Sequence, residues 1–232
     1  FDETPLAAAS LGQVHRARLR AEANGGVEAR VVVKIQRPRV ELLVTTDLAA
    51  LETVANWIKH YPPVRRRADV PALLAEFARI LRGELDYLAE GRNAETFAAN
   101  FKDTPSVRVP AAYWPTTNQR VLTLEDVYAI KITDYAAITA AGIDRAAVAE
   151  RLFQTYLRQI FDQGFFHADP HPGNLFVEVV TPPIEGGPTW RLIFVDFGMI
   201  GHVPPNLRAG LREMVIGVGL RDAGRLVRAA QK

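Results

Sequence analysis

Apolar positions along this chain change period several times, and each change marks an element. The runs at 14–19 and 31–35 are short and bounded by polar residues, the second of them valine-rich, which predicts two strands. Ala-Asn-Gly-Gly at 23–26 joins them as a hairpin, and 5–10 before them is a loop of small residues. Leu42, Leu43, Leu48, Leu51, Val54 and Ile58 then recur near a 3.6-residue period, so 41–59 is predicted as helix. A proline-containing break at 61–67 precedes the longest helical pattern, 71–101, carried by Leu73, Leu74, Phe77, Ile80, Leu81, Leu85, Leu88, Phe97 and Phe101. Pro71 suits its first turn, and Gly91 weakens it by up to roughly 1 kcal/mol relative to Ala. Strands are predicted at 107–114 and 120–125. An amphipathic helix over 144–163 (Val148, Leu152, Tyr156, Ile160) is stopped by Gly164. Short apolar strands at 175–180 and 192–195 flank a turn-rich loop at 181–188, and 205–232 returns to helix.

This order of elements is α+β in two lobes, 1–126 and 127–232, meeting near 125–130. The 232 residues are 48% apolar and 23% charged, the composition of a folded globular chain. Lys plus Arg number 28 and Asp plus Glu 26, so the net charge of +2 offers no case for a nucleic-acid partner. Five of the 28 basic residues are Lys, which makes an isolated lysine in an apolar strand noteworthy. The absence of Cys excludes a disulfide scaffold, a thiolate zinc site and a Cys nucleophile. No stretch reaches the roughly 18 apolar residues of a membrane-spanning helix. The first residue is Phe1, so the chain is expected to be part of something longer, truncated at both ends.

The strongest chemical signal is His167-Ala-Asp169-Pro-His171-Pro-Gly-Asn174, followed after a hairpin by Asp196-Phe-Gly198. An Asp with an Asn five positions on, then a second Asp opening Asp-Phe-Gly, is the layout of phosphoryl transfer in protein kinases. One carboxylate, Asp169, orients the acceptor hydroxyl and takes its proton. Asn174 and Asp196 supply the hard oxygens that hold Mg²⁺ against the triphosphate. His167 and His171 with Asp169 could instead bind a transition metal, but the flanking prolines favour positional roles. Val31-Val-Val-Lys34 places a lysine in an apolar strand, where an ammonium needs a partner. Alone it reads as a strand-end lysine whose stem reaches water. Beside Asp169 and Asp196 it reads as the phosphate-binding lysine. Glu84, Asp86 and Glu90 offer carboxylates for it on the long helix. At about 100° per residue, Asp86 and Glu90 share a face and Glu84 lies about 240° from Glu90. Glu90 is the candidate partner of Lys34. The loop holding Leu6, Ala7, Ala8, Ala9, Ser10, Gly12 and Gln13 stands where a kinase has its Gly-rich phosphate loop. Alanine largely forbids the positive φ that Gly allows, so this loop is expected to be stiffer. Arg65, Arg66 and Arg67 read as a solvated loop, too few charges to hold a membrane surface alone.

Taken in order, Ala7 to His15, Val33 to Pro38, Glu84 to Glu90, His167 to Asn174 and Asp196 to Gly198 resemble the UbiB family of atypical kinases, over nearly the whole chain. The resemblance implies a bilobal protein-kinase-like fold: an N-lobe with an antiparallel sheet and a long helix, and a mostly helical C-lobe. It implies ATP and Mg²⁺ as cofactors, and ATPase activity with little or no protein-kinase activity. Lys34, Glu90 and Asp169 take the catalytic roles, and Asn174 and Asp196 bind the metal. The Ala-rich loop and the interlobe residues Glu125 and Val127 contact the adenine nucleotide. Glu84 and Asp86 form the family's regulatory Glu-x-Asp pair. The implied partners are a prenyl lipid or lipid-biosynthesis proteins in ubiquinone biosynthesis. The implied location is the cytoplasmic side, with membrane association through parts of a longer protein. Three departures stand out. No Lys-x-Gly-Gln motif precedes Phe1 to meet Glu84 and Asp86, Gly91 stands where the family has Ala, and Ala129 near an expected Gly. Two alternatives remain: a small-molecule kinase of the aminoglycoside phosphotransferase type, with a similar His-x-Asp-x-His-x-x-Asn loop, and a nucleotide-binding pseudokinase. A conventional regulated kinase is disfavoured, because no Ser, Thr or Tyr occurs from Phe197 to Lys232 to be phosphorylated.

Overall fold

In the computed structural model the described residues are 1–8, 10–21, 25–65, 67–182 and 186–224. Ala9, Ala23 and Asn24 of the expected turn, Arg66, part of the 181–188 loop and the end of the last expected helix lie outside them. The elements in chain order are β1 (Ala7–Ala8), β2 (Gly12–Leu19), β3 (Ala29–Gln36), α1 (Val40–Ile58), α2 (Pro62–Arg65), α3 (Val70–Gly83), α4 (Tyr87–Asn100), β4 (Val107–Arg108) and β5 (Val121–Glu125). There follow β6 (Ile130–Lys131), α5 (Tyr135–Ala140), α6 (Arg145–Leu157), β7 (Phe165–His167), β8 (Leu175–Val179), β9 (Trp190–Phe194), β10 (Ile200–His202) and α7 (Pro205–Leu220). Two units result. Phe1–Arg92 with Pro110–Val127 forms the first; Asn93–Val109 with the chain from Tyr128 onward forms the second. The division is therefore not the single cut at 126/127 that the sequence suggested. Phe97, Phe101 and Val107 are buried in the second unit's core and take their stretch of chain with them.

The first unit is a four-stranded antiparallel sheet, β1-β2-β3-β5, with helices. β2 and β3 pair without interruption from Gly12↔Gln36 to Leu19↔Ala29. α1 packs on α3 through Val40, Val44, Leu48 and Ala78. Of the six apolar residues whose period predicted this helix, only Leu48 is buried; Leu42, Leu43, Leu51, Val54 and Ile58 are exposed. The pattern identified a helix without identifying its packed face. The long helix expected over 71–101 is two helices. Asp69 caps α3, accepting from Ala72 N at 3.1 Å, and Pro71 lies in its first turn as expected. Chain direction changes after Gly83. Asp86 then caps α4 by accepting from Ala89 N at 2.9 Å. The Leu85 carbonyl released by the break accepts from Gln36 Nε2 at 2.6 Å, so β3 holds the junction. Gly91 has a packing reason: a Cβ there would lie 2.8 Å from the Trp114 ring.

The second unit holds a four-stranded sheet, β4-β9-β8-β6, and a two-stranded one, β10-β7. Of the strand expected at 107–114 only β4 forms, parallel to β9. Pro110 and Pro115 lack the N–H a ladder needs, and 114–116 turns as a 3₁₀ helix. Asp144 caps α6, which passes at Arg158 into a π turn ending at Gly164, φ 66°. The core is aromatic. Phe97 is fully buried, stacked on Phe101 at 4.9 Å and tilted against Phe194 and Phe197, each at 5.1 Å. Arg151 lies 3.4 Å over the Trp190 ring and donates to the Trp190 carbonyl at 2.8 Å, closing the edge. Among the described residues, no helix is long and apolar enough to cross a membrane. Phe97→Ala is expected to cost about 3–5 kcal/mol, read as a lower urea midpoint at unchanged slope. A loss under about 1 kcal/mol would remove Phe97 from the centre of this core.

Candidate active site: a lysine pair in one unit and a carboxylate loop in the other

In the first unit, strand alternation decides which residues surround Lys34. It pairs with Val14 on one side and Leu122 on the other, while Val32, two residues away on the same face, pairs with Leu124. Lys34 therefore shares its sheet face with apolar side chains, Leu122 fully buried and Val14, Val32 and Leu124 half-buried. Its Nζ donates to both carboxylate oxygens of Glu90, at 3.0 and 2.9 Å. The Glu90 side chain is 3% exposed and that of Lys34 20%. α4 brings the carboxylate there, as expected of Glu90. The angular reasoning that put Glu84, Asp86 and Glu90 on one helix fails, because the chain breaks between them. Asp86 is the exposed cap of α4, 3.9 Å from Arg92, and Glu84 is half-buried at the end of α3.

Tyr87, missed in the sequence, lies with its ring 5.2 Å from Lys34 Nζ. A Cβ on Gly12 would approach the Tyr87 hydroxyl to 2.6 Å and the Ile35 carbonyl to 2.7 Å. Gly12 is thus required by close packing under the loop, not by a positive φ. Ala7 and Ala8 form the edge strand β1, registered on Val14 and Gln13, and Leu6 N donates to Val14 O at 2.7 Å. The Ala-rich segment is in this part a paired strand. Ser10 and Leu6 are exposed, Gln13 is half-buried, and Ala9 lies outside the described residues. Glu125 ends β5, its side chain accepting from Ala111 N at 3.4 Å, and Val127 follows in irregular, half-buried chain. Between them Asp126, also missed, sits 3.4 Å from Arg16 with its side chain 5% exposed.

In the second unit, β7 ends at His167 and the chain turns through Asp169 to Asn174. Ala168 N donates to Met199 O at 3.0 Å, and Pro172–Asn174 is a 3₁₀ turn capped by His171, whose Nδ1 accepts from Gly173 N at 3.0 Å. Asn174 Nδ2 donates to Asp169 Oδ2 at 2.8 Å, which fixes the carboxylate and leaves the amide oxygen, a hard donor, outside that bond. Val195 N donates to Asn174 O at 3.0 Å, so Asn174 and Asp196 come to the same end of the β8–β9 ladder. A carboxylate and an amide oxygen there are a donor set that fits Mg²⁺. Asp196 has φ 62°, a left-handed conformation that non-glycine residues hold only when neighbours enforce it. His167 is fully buried, and its Nε2 donates to the carbonyls of Asp196 (2.8 Å) and Val195 (3.1 Å). Asn93 Nδ2 donates to Phe197 O at 3.1 Å. Both histidines of the motif therefore have positional duties. The signal for Asn93 lay in no motif.

Residues 1–230 match the ABC1 atypical kinase-like domain. The chain belongs to the ABC1 atypical kinase-like family. Protein ACTIVITY OF BC1 COMPLEX KINASE 8, chloroplastic, of Arabidopsis thaliana is 44% identical over 231 residues, 99% of this chain and 28% of that protein. Probable protein kinase UbiB of Xanthomonas oryzae is 37% identical over 226 residues, 97% of this chain and 40% of that protein. A solved structure, the complex of Rv3197 with erythromycin from Mycobacterium tuberculosis, superposes with a TM-score of 0.70 at 26% identity. It is covered over 99% of this chain and 53% of that one. The chain spans about a third of the length of the first curated relatives it matches, 36% and 28%. The UbiB resemblance and the kinase-like α+β fold both stand.

Two outcomes follow from this geometry. Lys34→Met strands a buried carboxylate and is expected to destabilise by about 1–3 kcal/mol, most of it recovered when Glu90→Gln is added. A double variant no more stable than Lys34→Met would deny that the pair is the source. Burial, and then the negative charge of Asp169, push the Tyr156 hydroxyl up to about 12. Its protonated form is favoured by folding, so this contribution is intact below about pH 10 and lost as pH rises toward about 12. Tyr156→Phe should therefore lose less stability than the parent across that window in urea titrations; parallel losses would contradict it.

Proposed function

We propose that this domain binds Mg-ATP and cleaves its terminal phosphoryl group, as a kinase or an ATPase. The observation that carries the reading is the bidentate Lys34–Glu90 pair, at 2.9 and 3.0 Å, on a sheet face lined with half-buried apolar residues. Glu90 holds the ammonium for the α- and β-phosphates. Val14, Val32 and Leu124 offer the adenine ring an apolar bed. Asn174 and Asp196 would hold Mg²⁺, which when bound neutralises the phosphate charge. Asp169, held by Asn174, orients the attacking oxygen and takes its proton. That oxygen bonds to the γ-phosphorus, and the β–γ bridging oxygen leaves with ADP.

The likeness to UbiB proteins supports a lipid-related acceptor, a prenyl lipid or an enzyme of ubiquinone biosynthesis, and association with a membrane. The paired, alanine-bearing β1 supports weak activity on protein substrates, because a stiff loop follows the nucleotide less readily than a glycine loop.

Thermal stability in a titration of Mg-ATP and Mg-ADP tests the reading, with Asp196→Asn alongside. Ligand at about a hundredfold over Kd adds about 2.7 kcal/mol, a rise of several degrees for a domain of this size. The expected result is a magnesium-dependent rise that Asp196→Asn loses, and turnover that Asp169→Asn abolishes while binding persists. A well-folded sample with no such rise overturns the reading. Binding without turnover, indifferent to Asp169→Asn, turns it into a nucleotide-sensing pseudokinase.

A further inference from the structure

Among the described residues of the second unit the buried side chains are apolar except Thr155 on α6, Gln159 in the π turn Arg158–Gln163 that follows it, and His167 at the end of β7. Gln159 is fully buried. Its Oε1 accepts from the backbone N–H of His167 at 2.9 Å, while its own Nε2 has no hydrogen-bond partner among the described residues. A glutamine is an expensive choice for such a place. Half of its polar group is satisfied and half is not, and an apolar side chain of equal volume would fill the same space. What only the glutamine supplies is an acceptor aimed at one amide.

That amide belongs to the residue from which the site's carboxylates are placed. His167 Nε2 donates to the carbonyls of Asp196 and Val195, at 2.8 and 3.1 Å, and two residues on the chain reaches Asp169. Gln159 thus sets the end of β7, the start of the Asp169 loop and, through the imidazole, the backbone of Asp196. The π turn is what brings it there. Its widened winding departs from α geometry just before Gly164 reverses the chain into β7. Such turns recur where a helix must present one side chain out of regular phase.

We propose that Gln159 is a positioning residue for phosphoryl transfer, holding Asp169 and Asp196 in mutual register through His167. The kinetic part of this proposal rests on the Mg-ATP reading above; the structural part does not. The variants are Gln159→Met, which keeps the volume and removes the acceptor, and Gln159→Glu. Burial holds the latter's carboxyl protonated, so it keeps an accepting oxygen. Gln159→Met exchanges one unpartnered buried group, the amide Nε2, for another, the His167 N–H, so its melting temperature should stay close to the parent's.

Mg-ATP turnover and amide hydrogen exchange are measured on the same three proteins. In Gln159→Met, kcat is expected to fall by about tenfold or more with KM for ATP within about twofold, since small misplacements of reacting groups act on the chemical step. The His167 amide, and with it Ala168 and Phe197, should exchange about tenfold faster, while α5 and β8 keep the parent's rates. Gln159→Glu should return both readouts most of the way. The proposal is overturned if Gln159→Met matches the parent in exchange at His167 and Phe197. It is equally overturned if protection falls evenly across the second unit together with the melting temperature, the mark of a merely structural residue. Should the parent bind Mg-ATP without turning it over, or not bind it, the Mg-ATP reading fails on that result, and the exchange comparison alone decides whether Gln159 sets the loop.

Discussion

A carboxylate with 3% of its side chain exposed cannot remain charged in an apolar surrounding without a cation against it. Glu90 is in that position, and the arrangement of the first unit follows from satisfying it. Lys34 must reach it from β3, so α4 has to begin where its first turn meets that strand. This requires the helical segment to break after Gly83, and the break releases the Leu85 carbonyl, which Gln36 takes up two residues beyond Lys34 on the same strand face. The first turn also brings Tyr87 beside the ammonium, and only a glycine at position 12 leaves room for its hydroxyl. One ion pair thus accounts for a helix break, a buried glutamine and a glycine in the strand that follows the Ala-rich loop.

The second unit meets a different constraint. Asp196 is held with φ 62°, a conformation its own sterics resist. What enforces it is the burial of the next residue. Phe197 is 1% exposed, tilted against Phe97 and edge-on to His167, and its carbonyl is taken by Asn93. The free energy of burying an aromatic ring, of the order of 2–3 kcal/mol, is comparable to the strain of one left-handed residue. The aromatic core is therefore the support of the carboxylate as well as a packing unit. This is why Asn93–Val109 sorts with the second unit although it precedes β5 in the chain: Phe97 and Asn93 are both needed there.

The motif residues could be picked out in the sequence by type and spacing. Asp169 with Asn174, Asp196 before Phe-Gly and the lone strand lysine each narrow the reaction class, and the family follows from their order. Supporting residues were not legible, because support is a matter of three-dimensional neighbours. Gln36 and Tyr87 lie inside the motif segments 33–38 and 84–90, but nothing in those segments marks their contacts, and Asn93 and Gln159 stand in stretches where their types are unremarkable. The break at 84–86 escaped a periodicity argument because Leu85 and Leu88 continue the apolar phase on either side of it, while Asp86, readable as a cap, was read as one acid among three. The α1 stripe misled for a related reason. A helix with Leu42, Leu43, Leu51 and Val54 exposed and Val40 and Val44 buried carries apolar residues on most of its faces, and periodicity alone cannot choose among them. Pro110, inside 107–114, is the residue that argues against a single strand there.

The segment after Asp-Phe-Gly bears on how such a site is kept in order. In kinases governed by phosphorylation, a phosphate added downstream of this motif recruits arginines and orders the loop. Between Phe197 and Lys232 there is no hydroxyl to receive one. Here the order is supplied by bonds already made: β10 pairs with β7 across Ile200↔His167, Met199 O accepts from Ala168 N, and His167 grips the Asp196 carbonyl. Each ties the Asp196 segment to the strand that precedes Asp169. A loop held by a strand pair and a buried imidazole has little to gain from an added charge. Phosphorylation of this loop therefore has no residue to act on between Phe197 and Lys232.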